Sequence, residues 1–237
     1  GLREIALWAT QVNGEPGDAR PANDTLRQAF TRLVQASPRR PLAELFMGTD
    51  CAACPGGETA LGRLQQQVTD LTAVRYHSSG TLYDGSTDLG QAINTLADYY
   101  GVNGRPRALI SRQALAGTPG YDLPMPQWLP GAGQASQGSS PAQLSLAIAS
   151  ANMDSSTFSI QVRADFLAQD EGDYRLGVII LQDSLRADQA NALNTNPDSP
   201  WQGAGNPIRS FRHHGVVRSL PGGAFGLQGI IPAAQDT

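Results

Sequence analysis

Phe46-Met47-Gly48-Thr49-Asp50-Cys51-Ala52-Ala53-Cys54-Pro55 is the stretch on which the reading of this chain turns. Before it, Pro41 to Met47 is a short apolar run stopped by Gly48; after it, Leu61, Leu64, Val68 and Leu71 form one helix face. The two cysteines therefore stand where a strand hands over to a helix. No other cysteine exists to pair with, and a bridge across two residues closes so short a loop that its purely stabilising effect is weak. Redox chemistry is the use that suits such a pair. At a helix N-terminus, unpaired backbone N–H groups and the helix dipole favour thiolate over thiol, which makes Cys51 the natural nucleophile. Cys54, one turn further in, is placed to resolve a mixed disulfide. Ala52 and Ala53 bring no positive group and Asp50 opposes thiolate formation, so a modest oxidant is expected.

Working outward, Leu2 to Val12 reads as a strand, followed by a helix on Leu26, Phe30, Leu33 and Val34 behind the capping candidates Asn23 and Asp24. Downstream of the motif, Ala73 to His77 is a second central strand. Leu89, Ile93, Leu96 and Tyr100 mark a helix closing at Gly101, and Arg107 to Ser111 is the next strand. Leu129 to Pro141 is rich in Gly, Ser, Gln and Pro and reads as a flexible connector. Beyond it the period switches to two, at Leu144, Leu146 and Ile148 and again at Phe158, Ile160, Val162, Ala164 and Phe166. A Pro/Gly/Asn loop from Asn194 to Pro207 interrupts that β-rich half. The expected division is residues 1–128, a 129–141 linker, and a β-module over 142–237.

Composition removes several function classes. The chain has 237 residues, 40% of them hydrophobic, which is enough for a real core. A net charge of −4 with scattered cations offers no field for nucleic acid, so no such partner is expected. All 17 cationic residues are arginine, which excludes Schiff-base chemistry and a phosphate-loop lysine. The longest apolar run, Leu176 to Leu181, is far short of the ~20 residues that span a bilayer. The chain opens at Gly1 without a charged-then-apolar leader, so export would imply a signal already removed or lying outside this sequence. No Gly-x-Ser-x-Gly elbow, phosphate loop or metalloprotease helix occurs, and no cofactor is expected. The cysteines with His77, His213 or His214 offer a zinc reading, but the helix-start setting favours redox use.

The strand–CxxC–helix order resembles thioredoxin-like folds, and two more residues take roles from that likeness. Pro106, in Gly104-Arg105-Pro106-Arg107, stands where such folds carry a cis-proline that exposes backbone to an extended peptide, with Arg105 beside the sulfurs as a source of activation. Glu44 lies near the place of the buried carboxylate that serves the resolving cysteine in thioredoxins, one residue further from Cys51 than there. Its alternative is a strand-end carboxylate paired with an arginine.

Residues 43–55 also resemble the Glu-x-Phe-Thr-Gly…Cys-x-x-Cys-Pro signature of the Omp-28-like outer-membrane family and of related secreted thioredoxin-like proteins of unknown function. Gly104 to Arg112, Tyr174 to Asp183 and His213 to Arg218 agree with the family's later blocks. The resemblance implies an α/β thioredoxin-like N-terminal domain followed by an all-β, sandwich-like C-terminal module. It also implies a location in the periplasm or at the cell surface, outer-membrane associated.

Two functions are thus expected. One is an exported thiol–disulfide oxidoreductase acting on protein thiols or disulfides, with Cys51, Cys54, Pro106, Arg105 and Glu44 as its site. The other is a non-enzymatic binding or assembly protein with a cell-envelope protein partner, in which the CxxC bridge is structural.

Overall fold

The computed structural model describes residues 2–8, 11–12, 15–16, 25–31, 37–152, 157–167 and 174–228. It is a mixed α/β chain with one five-stranded sheet and several two-stranded ones. Two compact units divide it: Gly1–Pro38 with Ser139–Gly172 and Pro232–Thr237, and Arg39–Gly138 with Asp173–Ile231. Strands are numbered along the whole chain.

Among the described residues, the first unit shows antiparallel ribbons. β1 (Leu2–Trp8) pairs with β4 (Thr25–Thr31), the short β2 (Gln11–Val12) with β3 (Glu15–Pro16), and β8 (Ala142–Asn152) with β9 (Thr157–Phe166). The helix expected around Leu26 and Phe30 is instead strand β4, with Leu26 opposite Leu7 and Phe30 opposite Arg3. A spacing of four puts residues on one face of a strand as well as of a helix, so the pattern alone does not separate the two. Asn23, Asp24, Leu33 and Val34 lie outside the described residues.

The second unit carries the cysteines. Its sheet contains β5 (Leu42–Met47), β6 (Thr72–His77), β7 (Arg107–Ile110), β10 (Ile180–Gln182) and β13 (Val216–Ser219), in the spatial order β10-β13-β6-β5-β7. β6 runs parallel to both β5 and β13, while β7 and β10 run antiparallel to their neighbours. β5 is buried along both faces because helices cover each side of a parallel centre.

Ala43, Leu45 and Met47 pack with Leu61 and Leu64 of α1 (Cys54–Gln67) and with Trp128, Ala132 and Ala135 of α3 (Trp128–Ser136). On the other face Phe46, Val74, Tyr76 and Leu109 pack with Ile93 and Leu96 of α2 (Asp88–Tyr100). α2 begins where Thr87 accepts the Gly90 N–H and ends at Gly101, whose φ of 65° suits a residue without Cβ.

Two expectations about organisation are corrected. Residues 129–141 do not form a flexible connector along their length, since 128–136 make α3, with Trp128 buried and its Nε1 donating to Leu123 O at 2.9 Å. The small residues Gly131, Ala132 and Ala135 are what let this helix lie close on the sheet; a Cβ at Gly131 would meet Leu123 Cδ1 at 2.8 Å. The late strands are not gathered into one separate module either. β10 and β13 complete the cysteine-bearing sheet, whereas β11 (Leu185–Gln189) and β12 (Ile208–His213) form a hairpin joined by the 190–207 loop.

Candidate functional site

Cys51 and Cys54 are bonded to each other at the start of α1, with Cα atoms 5.4 Å apart. Their surroundings differ. Cys54 is 1% exposed within the core on the α1 face, whereas Cys51 is half-buried and Ala53 beside it is exposed. Pro55, in the first turn, spares that turn an N–H donor that it would leave unpaired. Asp50 is exposed and accepts a hydrogen bond from Ser79 Oγ.

Pro106 is buried and follows a cis peptide bond from Arg105. Its ring lies on Gly57, one turn into the helix from Cys54; a Cβ at position 57 would stand 2.8 Å from Pro106 Cβ and 3.0 Å from Cγ. The absent side chain at 57 is thus what lets the proline loop close on α1. Arg105 is exposed, and its Nη1 donates to Ser78 Oγ at 3.3 Å, which ties the proline loop to the end of β6.

Glu44 takes the alternative role. Strand alternation sends it to the α2 side with Phe46, while Cys54 packs with Ala43, Leu45 and Met47 on the α1 side. There the carboxylate is fully buried and accepts from Arg112 Nε and Nη2, both at 2.8 Å, and from Tyr76 Oη at 2.9 Å. Burial and the adjacent carboxylate push the Tyr76 phenol far up. The extra residue between Glu44 and Cys51 is the reason: a shift of one along a strand moves a side chain to the opposite face. The proton-transfer expectation for Glu44 is therefore replaced by the ion-pair one.

The polar groups on the Cys54 face are others. Glu58, four residues after Cys54, receives Arg75 Nε and Nη2 at 2.7 Å each. His77, on the same face of β6 as Arg75, meets His213 edge to face with ring centroids 4.9 Å apart, and both are almost fully buried. Burial, with His213 and Arg75 nearby, lowers the His77 pKa to about 3 against an opposing pull from Asp50. Burial likewise lowers His213. His214, just past the end of β12, is exposed. Among the described residues no three metal-ligating side chains come together.

Sequence reading missed the segment that covers the motif. Residues 189–193, which leave β11, run along the CxxC turn: Ala190 N–H donates to Thr49 O at 2.8 Å and Ala192 N–H to Ala52 O at 2.9 Å. Gln189 is buried and its Nε2 reaches Cys51 O at 2.9 Å and Gly48 O at 3.2 Å. Asn191 braces the following loop, donating to Trp201 O and Gly205 O while its own N–H bonds Asn206 Oδ1. Trp201 Nε1 donates to Thr59 Oγ1 of α1 at 2.9 Å. Glu58 was within reach of helical periodicity from Cys54, but nothing local in the sequence marks Gln189, which lies 138 positions from Cys51.

No family model matches the chain, and no curated protein matches it in sequence. Among solved structures it is similar to HBP35 of Porphyromonas gingivalis, with a TM-score of 0.56 and 17% identity over 78% of this chain and 58% of that one. The chain thus spans a little over half of that protein's length, and at such identity the likeness is one of fold. It is also similar to protein AGR_C_4864 from Agrobacterium tumefaciens, with a TM-score of 0.40 and 15% identity over 79% of this chain and 73% of that one. That second likeness is too distant to carry an argument.

Proposed function

We propose that this protein is an exported thiol–disulfide oxidoreductase built on a thioredoxin-like core, β5-α1-β6-α2-β7 followed by α3. The observation that carries this reading is the asymmetry of the cysteine pair at the head of α1. The half-buried Cys51 can be reached by a partner sulfur, whereas Cys54 is sealed in the core, where it acts only on what Cys51 has captured. In the forward direction a substrate thiolate attacks Cys51, the S–S bond breaks, and Cys54 leaves as thiolate. A second substrate thiol then displaces Cys51, leaving the substrate oxidised and the pair reduced. In this reading the roles of Pro106 and Arg105 are to present backbone to the substrate and to add positive charge, and what supports them is the packing of Pro106 on Gly57 and the exposure of Arg105.

A disulfide-bonded pair accords with an oxidising compartment, which supports placement in the periplasm or at the cell surface. Among the described residues no helix is long and apolar enough to cross a membrane. The Omp-28-like resemblance rests on its residue blocks alone. In place of a β-sandwich module, the reading now carries a C-terminal half that supplies β13 to the sheet and the 189–193 segment to the motif.

A second reading, a cell-envelope binding protein with a structural bridge, is favoured by that same segment, because four backbone carbonyls of the motif and its approach are already occupied. The reduction potential separates the two. Equilibration against glutathione and dithiothreitol should give a value between about −120 and −270 mV, with a Cys54→Ala variant trapping mixed disulfides at Cys51. A potential below about −300 mV with an unreactive Cys51 would establish the structural bridge.

A further inference from the structure

We infer that Gln189 is a positioning residue that favours the disulfide over the dithiol form of the Cys51–Cys54 pair; this rests on the exchange reading above. Gly48 to Cys51 is a hydrogen-bonded turn, closed by Cys51 N–H to Gly48 O at 3.2 Å. The Gln189 amide sits across the two ends of that turn, with Nε2 at 2.9 Å from Cys51 O, 3.2 Å from Gly48 O and 3.1 Å from its neighbour Ala190 O. The side chain is 3% exposed, so water cannot replace these bonds if they loosen. Ala190 and Ala192 hold Thr49 O and Ala52 O on either side.

Reduction by glutathione transfers two electrons and two protons: two glutathione thiols become one oxidised glutathione, the S–S bond breaks, and Cys51 and Cys54 each end as a thiol. The two sulfurs must then move from bonded to van der Waals separation. Cys54 cannot yield much, because it is inside the first turn of α1 and packed in the core. The displacement therefore falls on Cys51, whose carbonyl is the group that Gln189 holds. Bonds made at full length in the oxidised form are stretched in the reduced one, and the difference is a term in the redox equilibrium. Within the motif, Cys54 N–H also donates to Cys51 O at 3.1 Å, and Gln189 adds the donor that comes from outside it.

The test uses the full chain and Gln189→Met, which keeps the volume and removes both donors. The reduction equilibrium is read in a glutathione or dithiothreitol series, and urea midpoints are read separately for the oxidised and reduced forms. The expected result is a reduction equilibrium constant three- to tenfold larger in the variant. Tenfold corresponds to a potential about 30 mV less negative. The oxidised form should also lose more stability than the reduced form, closing the thermodynamic cycle. An unchanged potential with equal losses in both forms, or a more negative potential, overturns the inference and makes Gln189 a brace of the loop only. Should Gln189→Met fail to fold, Gln189→Asn holds the amide one carbon short of the carbonyls and gives the same comparison. A wild-type pair that glutathione does not reduce, with an inert Cys51, refutes the exchange reading, while the unequal loss of stability still decides the role of Gln189.

Discussion

The ring of Pro106 rests on the α-carbon of Gly57, so closely that any Cβ at position 57 would stand 2.8 Å from Pro106 Cβ. The contact joins the proline loop to the helix that begins at Cys54.

Gly57→Ala tests it with opposing signs. In a helix interior, alanine is worth roughly 0.5–1 kcal/mol over glycine. Overpacking against a buried ring costs about 1–3 kcal/mol. The contact should win, giving a net loss in urea unfolding together with slower mixed-disulfide formation at Cys51. A gain in stability would show that the loop moves aside freely.

Breaking the Glu44–Arg112 pair should be costly and catalytically silent. Arg112→Met leaves a fully buried carboxylate with only Tyr76 beside it, a loss of about 3–5 kcal/mol. Glu44→Gln should leave the pH dependence of thiol exchange where it is, because the carboxylate lies on the sheet face opposite Cys54. Stopped-flow exchange across pH 6 to 9 checks this, and a displaced pH profile would return Glu44 to the proton-transfer role.

Acid should weaken the fold through the buried histidines. With the His77 pKa lowered to about 3, the unfolded chain binds the proton that the folded chain refuses between roughly pH 6.5 and 3. Stability is therefore intact above about pH 6.5 and falls on acidification, by up to about 1.4 kcal/mol per pH unit from this one group. His213, lowered in the same direction, adds to the slope. His77→Phe should flatten the dependence of the urea midpoint between pH 7 and 4.5, and an unaltered slope would assign the acid sensitivity elsewhere.

Removing the bridge altogether should be mild. Loop-closure entropy for a four-residue ring is worth about 2 kcal/mol at most, so Cys51→Ser with Cys54→Ser should remain folded and cooperative. Circular dichroism and urea unfolding measure this. Collapse of the fold would show that the bridge organises the core.

The sequence by itself determined the local features of the site. Two cysteines at CxxC spacing, an apolar run stopped by Gly48 and a helix face on Leu61 and Leu64 are short-range signals, and β5, α1 and the burial of Cys54 follow from them. Gly101 and Pro106 likewise announced a helix end and a turn. Tertiary structure alone decided the rest. Which face Glu44 occupies depends on strand parity relative to the core, and one residue of spacing reverses it. Composition could not show that Gly131, Ala132 and Ala135 are small because a helix packs closely there, so a connector and a close-packed helix look alike in sequence. The partners of the motif, Gln189, Ala190 and Ala192, arrive from more than 130 positions away through backbone and amide hydrogen bonds. Backbone donors exist at almost every residue, so no side-chain pattern records which of them the fold will use.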